Sequence, residues 1–263
     1  MNQPNNARLE ALKKSWQQKK EINDKLDKIT FKIGVYSGKG GVGKTTVAVN
    51  LAVSLANKDK RVGILDTDVD CPNVPKIIGV HQDAIYQNGT ITPGQAFGVK
   101  VVSMGFFQEN EEEAIIWRGP MIHNAINQFL QATEWGELDI LVVDLPPGTS
   151  DAPLSVMQNL KLDGFVVVTT PHDLAKLDAK RSINMIRKMN VDVLGVVENF
   201  SGGQFGSGGG ESLAEEMSVP FLGCITLRDD YQMMDSPTII KNKEANEEYV
   251  IIADQVLGSL LNK

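Results

Sequence analysis

Eight consecutive residues, Gly38-Lys39-Gly40-Gly41-Val42-Gly43-Lys44-Thr45, concentrate the chemistry of this chain. They match the pattern G-x-x-x-x-G-K-[ST] between a β-branched run and a helical pattern, the context in which such a loop wraps a polyphosphate. Glycines let the backbone approach closely with its N–H groups turned inward. The N-terminus of the following helix adds partial positive charge. In that arrangement Lys44 neutralises charge on β- and γ-phosphates, the Thr45 hydroxyl is a ligand for Mg2+, and Thr46 lies beside the α-phosphate. For Lys39 the spacing alone leaves two readings open, a phosphate ligand or a solvated loop lysine.

Carboxylates end two apolar runs. In Arg61-Val62-Gly63-Ile64-Leu65-Asp66-Thr67-Asp68 the two acids stand two residues apart, so an extended chain turns them to one side. A carboxylate at the top of a buried strand is costly to desolvate without a partner. Mg2+ and its waters are one such partner, with Asp66 in the outer shell and Asp68 orienting the attacking water; helix capping before Pro72 is the other reading. Asp144 ends Leu138–Val143 and fits a carboxylate that holds a Mg2+-bound water. Two prolines stiffen the exit from that strand. Gly148 follows them, with an N–H available to a γ-phosphate, which makes residues 145–151 a candidate nucleotide-sensing switch.

These residues need a scaffold that brings strand ends together. Strands are expected at Phe31–Tyr36, Arg61–Leu65, Lys100–Ser103, Ile140–Val143, Phe165–Thr169, Val193–Val197 and Phe221–Ile225, with helices starting near Gly43, Pro120, Ala152, Leu174 and Gly210. Continuous apolar runs such as ILVV and FVVV imply burial on both faces, as in a parallel sheet. The alternation predicts an α/β fold: a doubly wound, mostly parallel sheet flanked by helices, with ligands at the carboxyl ends of the strands. Residues 1–29 read as an N-terminal helical extension and 30–263 as one ATPase domain. In the extension Leu9, Leu12, Trp16, Ile22 and Leu26 recur at roughly helical spacing, a thin stripe compatible with a docked helix or a frayed arm. A C-terminal helix is expected over Glu244–Leu261, with Val250, Ile251, Leu257, Leu260 and Leu261 toward the core. The stretch Ser201–Gly210 is either a flexible loop or a backbone nest for an anion.

Composition narrows the setting. The 263 residues are 42% hydrophobic and 22% charged, with a net charge of −7. That balance is ordinary for a globular protein and argues against non-specific binding to a phosphate backbone, while leaving room for a local basic patch. Two cysteines cannot form a disulfide framework, and no apolar run approaches the ~20 residues that span a bilayer, so a cytoplasmic protein without membrane or nucleic-acid partners is expected. Cys224 reads as a core residue and Cys71 as a loop residue near the nucleotide. The histidines His81, His123 and His172 show no ligand spacing.

The loop KGGVGKTT resembles the deviant Walker A motif of the MinD, ParA, nitrogenase iron-protein and Mrp ATPases. The resemblance implies a homodimer in which Lys39 acts on the partner's nucleotide, in the manner of an arginine finger. Four further stretches occur in the same order: Ile115–Met121 (IIWRGPM), Asp144–Thr149 (DLPPGT), Thr170–Leu174 (TPHDL) and Gly195–Asn199 (GVVEN). Together they are similar to the Mrp-type (ApbC-like) iron–sulfur carrier ATPases over roughly residues 20–260. That likeness implies ATP and Mg2+ as cofactors, slow ATP hydrolysis, an iron–sulfur client or scaffold as partner, and Asn199 as the side chain that meets adenine. The residue alone reads equally as a turn asparagine. One departure stands out. The family's Cys-x-x-Cys after that asparagine, which lets two subunits share a 4Fe–4S cluster, is replaced by Asn199-Phe200-Ser201-Gly202-Gly203-Gln204-Phe205-Gly206, without a thiol. Cluster binding in the usual way is therefore not expected. Two other functions compete with cluster carriage: a cluster-free ATP-switch adaptor, and a MinD- or ParA-like positioning ATPase. The acidic C-terminal segment disfavours the positioning role, since a membrane-binding helix carries a basic face.

Overall fold

In the computed structural model, residues 10, 13, 16, 17, 20–80, 82–107, 119–232 and 235–261 are described. His81 and most of the stretch Ile115–Met121 lie outside them, as do Leu9 and Leu12. The apolar runs form the expected strands: β1 (Ile29–Tyr36), β2 (Val62–Asp66), β6 (Val99–Ser103), β7 (Leu138–Asp144), β8 (Gly164–Thr169), β9 (Val193–Ser201) and β10 (Phe221–Thr226). They pair in parallel in the order β10-β9-β8-β1-β7-β2-β6. Every residue of β2 and β8 is buried, the sign of a sheet covered on both faces. Strand ends run further than the apolar runs alone indicate. The largest extension is in β9, which carries Glu198 and Asn199 inside the strand.

Three short strands were not foreseen. β3 (Ile85–Gln87) and β4 (Thr90–Thr92) make a small antiparallel pair, and β5 (Gly94–Ala96) adds antiparallel to the β6 edge. β3 is exposed at every position, so it has no apolar pattern to read.

Helices cover the two faces. On one side α2 (Lys44–Ala56), α3 (Val74–Ile78), α8 (Thr238–Lys241) and α9 (Lys243–Leu261) pack on Ile33, Val35, Ile64, Val142 and Val166. On the other, α4 (Gly119–Ala132), α5 (Asp151–Asn159), α6 (Asp173–Lys188) and α7 (Gly209–Met217) cover Leu65, Leu141, Val143, Phe165 and Val167. Alternate strand residues thus serve opposite layers. From β1 the chain crosses to β2 over β7, and the strand order reverses at β1. The loop after β1 consequently opens into the crevice where doubly wound sheets bind ligands.

Two expectations need correction. In α9 the buried stripe is Ala245, Tyr249, Ile252, Ala253, Val256 and Leu260, a 3.6-residue period that uses two alanines for close approach. Of the residues named above only Leu260 is fully buried, Leu257 is half-buried against the core, and Ile251 and Leu261 are exposed. Cys224 is not core either: it is exposed on β10, which ends the sheet and leaves one strand edge unpaired.

The helix of residues 20–26, α1, settles the choice between docked helix and frayed arm for its own span. Ile22 and Leu26 are buried in the layer that holds Leu130, Leu138 and Trp135. Lys25 Nζ donates to the Gln131 carbonyl at 2.6 Å and pairs with Glu134 at 2.5 Å. Trp16, further out, is exposed. β1 takes in Ile29, which pairs with Leu138, so the extension runs into the sheet without a linker. Leu26→Ala is expected to destabilise the fold by about 2–4 kcal/mol in denaturant unfolding, the range for a truncated buried leucine. A loss below about 0.5 kcal/mol would return α1 to the status of a frayed arm.

Candidate nucleotide site

The phosphate loop runs between β1 and α2. Gly43 caps α2 at φ +78°, and a Cβ there would lie 2.2 Å from Asn199 Nδ2, so both conformation and space demand glycine. No side chain caps the first turn of α2, which leaves its N–H groups directed at the crevice. Gly38, Lys39, Gly40 and Gly41 are at least partly exposed along the loop, whereas Val42 is buried beneath it. Ser37 Oγ donates to the Lys39 carbonyl at 2.9 Å and shapes the loop entrance. Thr45 and Thr46 are half-buried in the first turn, with Thr45 Oγ1 3.4 Å from Lys44 Nζ.

Lys44 is only 6% exposed and its ammonium meets Asp144 Oδ1 at 2.5 Å. Asp144 is fully buried, and among the described residues its Oδ2 has no hydrogen-bond partner. Parallel register sets Val35, Asp144 and Asp66 at one level on adjacent strands, so the phosphate loop and two carboxylates converge. Asp66 is fully buried and accepts three bonds: from Asp68 N at 3.1 Å, Val74 N at 3.2 Å and Ser103 Oγ at 2.9 Å. Val74 opens α3, so the capping role weighed above is real for Asp66. Burial first, and the Asp144 charge second, hold the Asp66 carboxyl well above the usual carboxylate range. Asp68 accepts from Cys71 N at 3.2 Å, and burial raises it too.

A buried carboxylate oxygen without a donor is the natural seat of a cation or its water. Asp144 Oδ2 together with the Thr45 hydroxyl therefore fits Mg2+, a hard ion that favours oxygen ligands and retains waters. Asp66, already holding three donors, fits an outer position less directly.

Two predicted residues have partners of their own. The Gly148 N–H is donated to the Ser37 carbonyl at 3.0 Å rather than offered to the crevice. Asn199 is buried, and its Nδ2 donates to the Val42 carbonyl at 2.9 Å, beneath the phosphate loop. His172 caps α6, accepting from Leu174 N, and His123 lies 3.0 Å from Asn159 Nδ2; both have packing roles.

Glu198 was not singled out, yet it organises the glycine stretch. Its buried carboxylate accepts from Ser201 Oγ at 2.8 Å, Gly208 N at 3.1 Å and Gly210 N at 2.6 Å. The backbone nest is real, and the chain's own Glu198 fills it. The signal was in the sequence: an acid at the end of an apolar run followed by free glycine amides. The neighbouring residue, Asn199, holds the phosphate loop, so β9 ties both loops to one strand.

A phosphate loop with two lysines, a buried strand-end carboxylate behind it and a doubly wound sheet define a P-loop nucleoside-triphosphatase. The chain belongs to the ParA family, whose profile, described as NUBPL iron-transfer P-loop NTPase, matches residues 28–257. It is 39% identical to an iron-sulfur cluster carrier protein of Methanocaldococcus jannaschii, across 94% of this chain and 91% of the relative. A protein of the same name from Pyrococcus horikoshii is 44% identical over 78% of this chain and 77% of its own. A solved nucleotide-binding protein from Archaeoglobus fulgidus, in complex with ADP, superposes with a TM-score of 0.74 at 35% identity, covering 88% of this chain and 96% of that one. The cell division ATPase MinD of Pyrococcus furiosus shares the fold at a TM-score of 0.69 and 22% identity, covering 87% and 99%.

Replacing Glu198 by Ala leaves three donors without their acceptor. Stability should fall by about 3 kcal/mol, and amide exchange at Gly208 and Gly210 should quicken by at least about tenfold while β1 and β7 keep their protection. Unchanged protection at the two glycines would refute the staple.

Proposed function

We propose that this chain is a Mg2+-dependent ATPase that closes as a homodimer around ATP and works in iron–sulfur cluster carriage or assembly. The observation that carries the reading is the buried Lys44–Asp144 pair with its unpartnered second oxygen, set behind the glycine-rich loop that opens α2. Polyphosphate entering the loop competes with Asp144 for the Lys44 ammonium and replaces one anionic partner by another. The freed carboxylate then has both oxygens available to water. Bound Mg2+ supplies neutralisation of phosphate charge, held by Thr45 and, through water, by Asp144 and Asp66. Asp68, with burial raising its proton affinity, is placed by its turn to orient the attacking water. Asn199 meets adenine only by sharing or giving up its bond to Val42. Among the described residues the Lys39 ammonium has no ion-pair partner, which suits a role on a neighbouring subunit's phosphates.

Within one chain the two thiols lie too far apart to hold a cluster together. Cys71 follows β2 and Cys224 lies in β10, five strand spacings apart, roughly 24 Å at ~4.8 Å each. Among the described residues no three His, Cys, Asp or Glu side chains form a metal-binding group. The iron–sulfur cluster is therefore cargo carried through a client or scaffold that brings the thiolates. The filled Glu198 nest favours a second reading on the same site, an ATP-switch adaptor that handles no cluster. Among the described residues no helix is long and apolar enough to cross a membrane, and no membrane or nucleic-acid partner enters either reading.

Lys44→Ala should lower ATP turnover by more than about a hundredfold, the scale of losing one transition-state charge contact. Lys39→Ala should still bind ATP yet no longer sediment as a dimer with a slowly hydrolysed analogue. Parent-like turnover in the first variant sinks the phosphate-loop reading, and parent-like dimerisation in the second sinks the trans role. Anaerobic reconstitution with iron and sulfide should leave little stable iron and no broad absorbance near ~400 nm, because thiolates are the ligands such clusters need. A cluster that forms in the parent and vanishes in Cys71→Ser would place the ligand at Cys71.

A further inference from the structure

Tyr36, the last residue of β1, is fully buried two positions before the phosphate loop. Its ring sits edge-on to Phe165, with centroids 6.3 Å apart and planes at 65°. Its hydroxyl donates to the Gly148 carbonyl and lies 3.9 Å from Met185 Sδ. The packing of β1 on β8 requires an aromatic or apolar side chain here, but it does not require a hydroxyl. Besides its contacts with Met185 and Ser182 on α6, the hydroxyl makes one bond to the backbone of the candidate switch.

On its other side Gly148 returns its N–H to Ser37, the residue next to Tyr36. Both polar groups of one glycine are thus held by two consecutive residues at the entrance of the phosphate loop. Gly148 has φ +86°, and a Cβ there would meet nothing within 4 Å. Glycine is required at 148 by backbone conformation, not by crowding, which marks it as the point about which the segment turns. The segment before it is stiff, because Pro146 and Pro147 fix two φ angles. A turn at Gly148 is therefore the cheapest way to redirect its amide.

We propose that Tyr36 latches residues 145–151: its hydroxyl holds the Gly148 carbonyl and, together with Ser37, keeps the Gly148 N–H away from the γ-phosphate position. The latch rests on the reading of the loop as an ATP site. It opposes γ-phosphate engagement and is indifferent to the α- and β-phosphates, so it tunes the preference for ATP over ADP. Tyr36 is a positioning residue in this scheme, since it touches no phosphate. Burial pushes its hydroxyl up to about 12, so it stays a donor throughout the neutral range.

The test is Tyr36→Phe, which keeps the ring against Phe165 and removes one hydroxyl. Affinities for ADP and for a slowly hydrolysed ATP analogue, both with Mg2+, are measured by calorimetry on the full chain. The analogue should bind about fivefold tighter in the variant, the size of one net hydrogen bond, while ADP changes less than about twofold. Affinities that move together for both nucleotides would make Tyr36 a packing residue only and overturn the latch. Unchanged affinities for both would overturn it as well, with the ATP reading intact. Absence of binding to either nucleotide, in parent and variant alike, would remove the ATP reading and the latch with it.

Discussion

Two carboxylates and one ammonium share a dry position at the top of the sheet, and the rest of the structure is arranged around that constraint. With all three ionised, Lys44, Asp144 and Asp66 would carry one more negative charge than positive with almost no exposure to water, and the raised proton affinity of the Asp66 carboxyl is the response to that excess. Such a group is not a source of stability, since desolvation offsets most of its Coulomb attraction. It persists because the fold supplies compensating donors: the amides of Asp68 and Val74 and the Ser103 hydroxyl on Asp66, and Lys44 on Asp144. Each donor comes from a different element, so sheet register is part of the site. A one-residue slip between β2 and β7 would turn one of the two acids to the opposite face. What remains unsatisfied, Asp144 Oδ2, is the point where a cation is worth most.

The other half of the sheet solves a similar problem differently. Glu198, level with Thr169 on β8 and Cys224 on β10, is also a buried acid, set inside β9 near its carboxyl end. It draws its donors from its own glycine loop, with no lysine involved. Immediately after Asn199 the chain turns at Phe200, whose φ is +58°, and the loop returns over the carboxylate. Adjacent side chains of one strand thus hold the phosphate loop and the glycine loop.

The sheet, its parallel character and the phosphate loop were legible because each has a local signature: continuous apolar runs, and a glycine pattern in strand–loop–helix context. Strands β3 to β5 were not, since three-residue exposed segments have neither length nor period. In α9 the largest aliphatics drew attention from the true stripe, which includes Ala245 and Ala253; small residues mark close helix packing better than bulk does. Cys224 was misjudged because an apolar strand looks the same at a sheet edge as at its centre, and only the strand order distinguishes them. The partners of Gly148, Asn199 and Glu198 lie far apart in sequence or depend on a turn, so residue type identified them as polar groups in need of a partner without saying which.

The glycine stretch shows how a family likeness and a departure from it can coexist in one fold. In the nucleotide half, from β1 through β7 to β2, the geometry brings Lys44, Asp144 and Asp66 together at the strand ends. The segment after β9 keeps glycines without the thiols that would use their flexibility to wrap a cluster. A glycine loop that had merely lost its ligand would gain entropy by loosening. Here Ser201, Gly208 and Gly210 instead converge on Glu198, an acid that the loop's own amides make affordable to bury. The same backbone amides cannot serve a carboxylate and a second anion at once, so with Glu198 in place the loop is not a free anion nest.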